Sequence, residues 1–253
     1  GGDAAGADAA AGILTTDSGR KEVLVEYPDF TVAGMAKGAG MLAPNMATML
    51  AFLTTDAAVE PGPLADLLRA AVADSFNSMS VDGCTSTNDT VVLMASGKAG
   101  ACDPNVVATA VTEACADLAT QMAADAEGAS RIFQVQVVGA RSDGEAHRAA
   151  RKVADSLLVK CSINGADPYW GRVASELGSA GVDFDMDRLS IAYGGTTVCR
   201  GGVEVPYDRS AVADHMAGSM VNIECGLGLA DGNGVVMGVE LGYGYIDENR
   251  TTS

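Results

Sequence analysis

Strand-like and helix-like segments alternate along this chain, and that alternation constrains its fold more than any other feature. Residues 22–27 alternate polar and apolar side chains as a half-buried strand does, and residues 30–35 are expected to pair with them. Residues 49–55 form a short apolar run that is typical of a buried strand. The remaining predicted elements are strands at 90–95, at 131–138 and in the Gly-rich tail from Val221, and helices at 61–72, 105–126 and 144–159.

Helices that alternate with strands predict a layered protein of the α/β or α+β class. The chain has 253 residues, of which 48% are hydrophobic, so it can bury a sizeable core. We expect a first domain over residues 1–140 and a smaller C-terminal α/β domain over residues 141–253.

Composition excludes several classes of function. A formal charge of −17 argues against nucleic acid as a partner, because phosphates require basic side chains. The six cysteines form no Cys-x-x-Cys pair and only two histidines are present, so we expect neither a metal site nor a disulfide framework. No apolar run is long enough to span a bilayer and no signal-peptide pattern opens the chain, which predicts a soluble, cytoplasmic protein without a membrane partner.

The most informative segment is Lys-Gly-Ala-Gly-Met-Leu-Ala-Pro-Asn-Met-Ala-Thr-Met-Leu at 37–50. It places Lys37 in a glycine-rich turn and delivers Thr48 to the start of a strand. The pattern alone favours a tight turn with a solvated lysine, followed by an ordinary β-branched strand residue. The string resembles the cleavage segment of the ornithine acetyltransferase (glutamate N-acetyltransferase) family, whose precursors are cut at an Ala-Thr bond.

Further segments resemble the same family in the same order, from about residue 11 to the C-terminus. They are Ile-Leu-Thr-Thr-Asp at 13–17, Thr-Ser-Thr-Asn-Asp-Thr at 85–90, Glu-Gly-Ala at 127–129, Asp-Pro-Tyr-Trp-Gly-Arg at 167–172 and the tail around Asn249. Two details depart from the family pattern. Tyr169 stands where the family usually has Asn, and the tail is one residue short, so Thr252 and Ser253 compete for the terminal contact.

The resemblance implies a DmpA/ornithine acetyltransferase-like sandwich that cleaves itself between Ala47 and Thr48. It implies transfer of acetyl from N-acetylornithine to glutamate through an acetyl-Thr48 intermediate, in arginine biosynthesis. The α and β chains produced by cleavage would form a heterotetramer. No cofactor is implied, and use of acetyl-CoA as a second acetyl donor is left open.

The family's substrate-binding residues correspond to Thr15, Lys37, Thr48, Glu127, Asn249 and Ser253. Lys37 can pair with a substrate carboxylate and Glu127 with a substrate α-amino group. Each also has an ordinary structural interpretation. Thr15 can cap a turn beside Asp17, Glu127 can be a solvated acid at a helix end, and Asn249 can belong to a frayed tail.

Thr48 can supply both groups that nucleophilic catalysis needs. Self-cleavage would free its α-amino group, whose ordinary pKa of roughly 7.7–8.0 suits a general base for the adjacent hydroxyl. A Ser-His-Asp triad is then unnecessary.

Members of the family also carry a longer N-terminal segment with a Thr-Gly pair that forms the oxyanion hole. Nothing before Thr15 matches that pair, and the chain starts at Gly1 without an initiator Met. We therefore interpret it as part of a longer protein that transfers acetyl poorly by itself. Two alternatives stay open, a self-processing aminopeptidase of related fold and a non-catalytic assembly subunit or fragment.

Overall fold

The structure is a computed structural model that describes residues 5–41, 49–84 and 88–250. Its helices and strands fall into two compact units, Gly1–Glu127 and Gly128–Ser253. Each unit combines helices with a β-sheet of its own. The predicted α/β layered class is therefore confirmed.

The first unit is built on a four-stranded sheet in the order β1-β2-β3-β5. Its elements are α1 (Ala5–Gly12), β1 (Lys21–Glu26), β2 (Thr31–Lys37), β3 (Leu50–Ala58), α2 (Pro61–Ala73), a 3₁₀ turn (Phe76–Ser78), β4 (Met79–Ser80), β5 (Thr90–Ala101) and α3 (Pro104–Ala124). Strands β1, β2 and β3 are antiparallel, whereas β3 and β5 are parallel. The parallel pair needs a crossover connection, and α2 lies within it.

One face of this sheet packs against α3. Ala51 and Leu53 of β3 point to that face and are fully buried, as is Leu118 of α3. The opposite face exposes 63% of Leu24 and 50% of Met94. Burial of β3 therefore alternates along the strand, although its sequence reads as a nearly continuous apolar run.

The second unit is built on a larger sheet, six strands of which run in the order β11-β6-β10-β7-β8-β9. Its elements are β6 (Ile132–Ala140), α4 (Asp143–Ala154), α5 (Leu157–Asn164), α6 (Trp170–Ser179), β7 (Ser190–Tyr193), β8 (Thr196–Arg200), β9 (Val203–Glu204), α7 (Arg209–Met216), β10 (Met220–Gly226), β11 (Gly232–Val239) and α8 (Tyr243–Asn249). Only β6 and β10 pair in parallel among these strands. Helix α4 packs on β6 and β11.

Two boundaries differ from the sequence-based prediction. The units divide at residues 127/128 rather than at 140, because β6 pairs with β10 and β11 and so belongs to the second unit. The helix predicted over 144–159 is two helices, α4 and α5. Ser156 separates them, since its hydroxyl accepts the Val159 N–H at 3.4 Å and caps α5.

None of the helices in the described parts of the chain is long and apolar enough to cross a membrane.

Candidate functional site

Lys37 and Thr15, two of the predicted substrate-binding residues, are in direct contact. Lys37 is the last residue of β2, and only 6% of it is exposed. Its Nζ donates a hydrogen bond to Thr15 Oγ1 at 3.0 Å. Thr15 is exposed in the loop between α1 and β1. The strand end and this loop thus present an ammonium group and a hydroxyl side by side.

Glu127 lies against the glycine-rich turn that follows Lys37. Its backbone N–H donates to the Ala39 carbonyl at 2.9 Å. Its carboxylate is so close to Gly40 that a Cβ at that position would lie 2.5 Å from Oε2. The Glu127 carboxylate can therefore lie this close to the turn only because residue 40 is glycine and has no Cβ. The turn from Lys37 to Gly40 brings a cationic and an anionic side chain into one region of the first unit.

Asp17 joins the Thr15 loop to the same turn. Its side chain is fully buried, and Oδ1 accepts the Gly38 N–H and the Lys21 ammonium, each at 2.6 Å. Burial raises the pKa of Asp17, but hydrogen bonds from Lys21, Gly38 and Thr15 outweigh it and hold the pKa below its usual value. Asp17 is therefore held as an anion.

Asp89 holds the residue that follows Thr48 in the sequence. Its Oδ1 accepts the Met49 N–H at 2.5 Å, and the Met49 carbonyl accepts the Thr90 N–H at 3.0 Å. Oδ2 of Asp89 is buried and has no hydrogen-bond partner among the described residues. Burial raises the pKa of Asp89, against the opposing effects of the Met49 N–H and the Lys37 charge. Both backbone polar groups of Met49 are thus fixed at the start of β3.

The remaining predicted site residues are Ala47, Thr48, Asn249 and Ser253. Ala47, Thr48 and Ser253 lie outside the described residues, as does Thr252. Asn249 is the last residue of α8 in the second unit, and its Nδ2 donates to the Tyr245 carbonyl at 3.0 Å. Among residues 5–41, 49–84 and 88–250, no group of three His, Cys, Asp or Glu side chains is arranged to hold a metal ion.

Sequence reasoning gave no role to Asp17, Lys21 or Asp89. Asp17 and Asp89 stand inside the motif segments at 13–17 and 85–90, so a signal for them was present. Lys21 offered only its rarity, as one of five lysines in the chain. In the structure these three residues form the hydrogen bonds that hold the backbone near the candidate site.

The model of the ArgJ family matches residues 2–251, which is nearly the whole chain. The chain belongs to the ArgJ family. It is 44% identical over 255 residues to the arginine biosynthesis bifunctional protein ArgJ of Mycolicibacterium paratuberculosis. The matched region covers 100% of this chain and 62% of that protein. It is 43% identical to the protein of the same name from Thermobifida fusca, covering 98% of this chain and 64% of that protein.

A solved structure supports the same assignment. The crystal structure of the arginine biosynthesis bifunctional protein ArgJ from Bacillus halodurans is similar with a TM-score of 0.74 and 35% identity. The similarity covers 78% of this chain and 96% of that one. This chain spans 62% of the length of the first ArgJ relative and 64% of the second.

Replacing Asp89 tests whether its carboxylate fixes the start of β3. Asp89→Ala removes the acceptor of the Met49 N–H, and Met49 is only 1% exposed. An unsatisfied buried amide costs roughly 1–3 kcal/mol, so we expect the midpoint of urea unfolding to fall by a corresponding amount. Asp89→Asn keeps an acceptor oxygen and should lose much less. Equal loss in both variants would contradict this role of the hydrogen bond.

Proposed function

We propose that this protein moves an acetyl group from N-acetylornithine to glutamate through an acetyl-Thr48 intermediate, in arginine biosynthesis. The observation that carries the proposal is that side chains of opposite charge lie at the two ends of one turn. The Lys37 ammonium lies on Thr15 Oγ1, and the Glu127 carboxylate lies against Gly40. Glutamate, the acceptor, offers an α-carboxylate and an α-amino group, so one cation and one anion can bind both of these groups.

Membership of the ArgJ family supports this choice of substrates. The relatives are named for arginine biosynthesis and as bifunctional proteins. The turn also leads directly into the segment 42–48 that ends at Thr48. Lys37 would therefore bind substrate at a turn shortly before the proposed nucleophile in the sequence. A cation and an anion that together bind both charged ends of one amino acid favour small amino-acid substrates over peptides.

Self-cleavage would prepare the nucleophile. Thr48 Oγ attacks the Ala47 carbonyl carbon, the peptide C–N bond breaks, and the acyl chain moves from nitrogen to oxygen as an ester. Water then hydrolyses the ester, which leaves a carboxylate on Ala47 and a free α-amino group and hydroxyl on Thr48. That α-amino group takes the hydroxyl proton in the next step. The α and β chains made in this way are proposed to stay together, as a heterotetramer.

Transfer would proceed in two half-reactions. Thr48 Oγ attacks the acetyl carbonyl of N-acetylornithine, and ornithine leaves with the proton that the Thr48 amine has taken up. The neutral α-amino group of glutamate then attacks the acetyl ester carbon and the bond from that carbon to Thr48 Oγ breaks. The proton lost from the glutamate nitrogen passes through the Thr48 amine to Oγ, which restores the hydroxyl. Lys37 would hold the carboxylate of each substrate in turn, so one site serves donor and acceptor. Acetyl-CoA as an alternative donor would enter at the first half-reaction.

Self-cleavage is tested by the intact mass of the protein under denaturing conditions. We expect two pieces, one that ends at Ala47 and one that begins at Thr48, because the Thr48 hydroxyl attacks the preceding carbonyl. Thr48→Ala should remain a single chain. Cleavage of the Thr48→Ala variant at the same bond would refute the mechanism.

The roles of Lys37 and Glu127 are tested by acetyl-transfer kinetics, with the remaining length of a family protein supplied. Lys37→Ala and Glu127→Ala should each impair turnover about tenfold or more, because loss of a charge-assisted hydrogen bond costs about 1.5–3 kcal/mol. Their unfolding midpoints should change less than their kinetics.

Gly40→Ala provides a matched test of the Glu127 position. The added Cβ would meet the flexible end of Glu127 and displace its carboxylate while leaving the charge in place. Gly12→Ala is the control, since no atom lies within 4 Å of a Cβ there. We expect Gly40→Ala to weaken transfer and Gly12→Ala to leave it unchanged. Wild-type kinetics in Lys37→Ala, Glu127→Ala and Gly40→Ala would exclude this turn as the substrate site.

A further inference from the structure

Lys21 is a buried cation to which the proposed reaction gives no part. It is the first residue of β1, and its side chain is 2% exposed. Its Nζ pairs with Asp17 Oδ1 at 2.6 Å and with Asp125 Oδ2. Burying a charge is costly unless it is paired, and here one ammonium faces two carboxylates. The cluster of Lys21, Asp17 and Asp125 keeps a net charge of −1 in the first unit.

The Asp17 arm of this cluster reaches Thr15 and Lys37. Asp17 Oδ1 accepts the Gly38 N–H at 2.6 Å, next to Lys37 in the chain, and Oδ2 accepts the Thr15 N–H at 3.3 Å. One carboxylate therefore ties the Thr15 loop to the end of β2. The same loop carries the Thr15 hydroxyl that the Lys37 ammonium contacts.

The Asp125 arm reaches Glu127. Asp125 follows α3 as its C-cap, and its Oδ2 accepts the N–H groups of Ser18 at 3.0 Å and Gly19 at 3.4 Å. Two residues further on, the Glu127 N–H binds the Ala39 carbonyl. The end of α3 is thus attached to the same loop that carries Thr15.

We infer that Lys21 is a positioning residue that holds Thr15, Lys37 and Glu127 in one arrangement through its two carboxylate partners. The roles of those three residues rest on the proposed function. Apolar side chains of similar volume often stabilise a fold as well as a buried ion pair does. What the ammonium adds is a fixed link between two carboxylates, each of which binds backbone groups of the site.

The test must separate positioning from folding. Lys21→Met alone leaves two facing carboxylates without their cation and can fail to fold. The double variant Lys21→Met/Asp125→Asn removes one of those charges, while the Asn oxygen can still accept the Ser18 and Gly19 N–H groups. Asp125→Asn alone is the matched control, and Lys98→Met controls for loss of an exposed strand lysine.

Two readouts apply to the chain as it is. Amide hydrogen exchange at Gly38 and Glu127 should be about tenfold faster in the double variant than in Asp125→Asn, and unchanged in Lys98→Met. Binding of L-glutamate, measured by calorimetry, should weaken by about tenfold or more in the double variant only. An unchanged urea midpoint would show that the fold persists.

Wild-type exchange rates and glutamate affinity in a folded double variant would overturn the inference, because Lys21 would then only balance charge. If the wild-type chain binds no glutamate, the proposed function fails. In that case the exchange rates at Gly38 and Glu127 still decide whether Lys21 links the segments.

Discussion

A buried ammonium between two carboxylates holds together the part of the first unit where the candidate site lies. Lys21, Asp17 and Asp125 come from a strand, a loop and a helix end, and their hydrogen bonds fix the backbone of all three. Burying charged groups costs free energy. Hydrogen bonds offset that cost here, because the oxygens of Asp17 and Asp125 that face the loop accept backbone N–H groups and the Lys21 ammonium. The turn that follows Lys37 is bound to this cluster, since the Gly38 N–H donates to Asp17 Oδ1.

The same region combines charges that serve different purposes. Lys21 and Asp17 are almost wholly buried and satisfy each other, whereas Glu127 is half-buried beside a turn. Asp89 differs from both, because one of its oxygens binds the Met49 N–H and the other has no partner within the described residues. The acidic groups near the motifs thus have different contacts. Asp17 is paired with Lys21, Glu127 lies beside the Gly40 turn, and Asp89 binds the residue that follows Thr48 in the sequence.

Sequence patterns predicted the elements of the first unit well because hydrophobic periodicity is a local property. The strands at 22–27 and 30–35 and the helix at 105–126 correspond to β1, β2 and α3 within a few residues. The break between α4 and α5 was not predicted, because apolar periodicity continues through it and only the Ser156 cap marks it. The division at residue 127 depends on pairing of β6 with strands about 90 residues later, which no local pattern contains.

The candidate site likewise combines residues that the sequence motifs predicted with residues that only the tertiary structure shows. The contact of Lys37 with Thr15 joins two residues of the family motifs, so the resemblance could propose both, although only the structure shows that they touch. Lys21 and Asp125 carry no motif and are 104 positions apart. Their pairing follows from the tertiary fold, and therefore the cluster that positions the site could not be read from the sequence.

In the proposed mechanism Thr48 carries the acetyl group between donor and acceptor. The most direct measurement is peptide mass analysis after prolonged incubation with N-acetylornithine and no acceptor, since one slow acylation per molecule is then enough. The account predicts one added acetyl group on the peptide that begins at Thr48, and its loss when glutamate is added. Acetyl that is absent from this peptide, or that remains there when glutamate is present, would contradict the account.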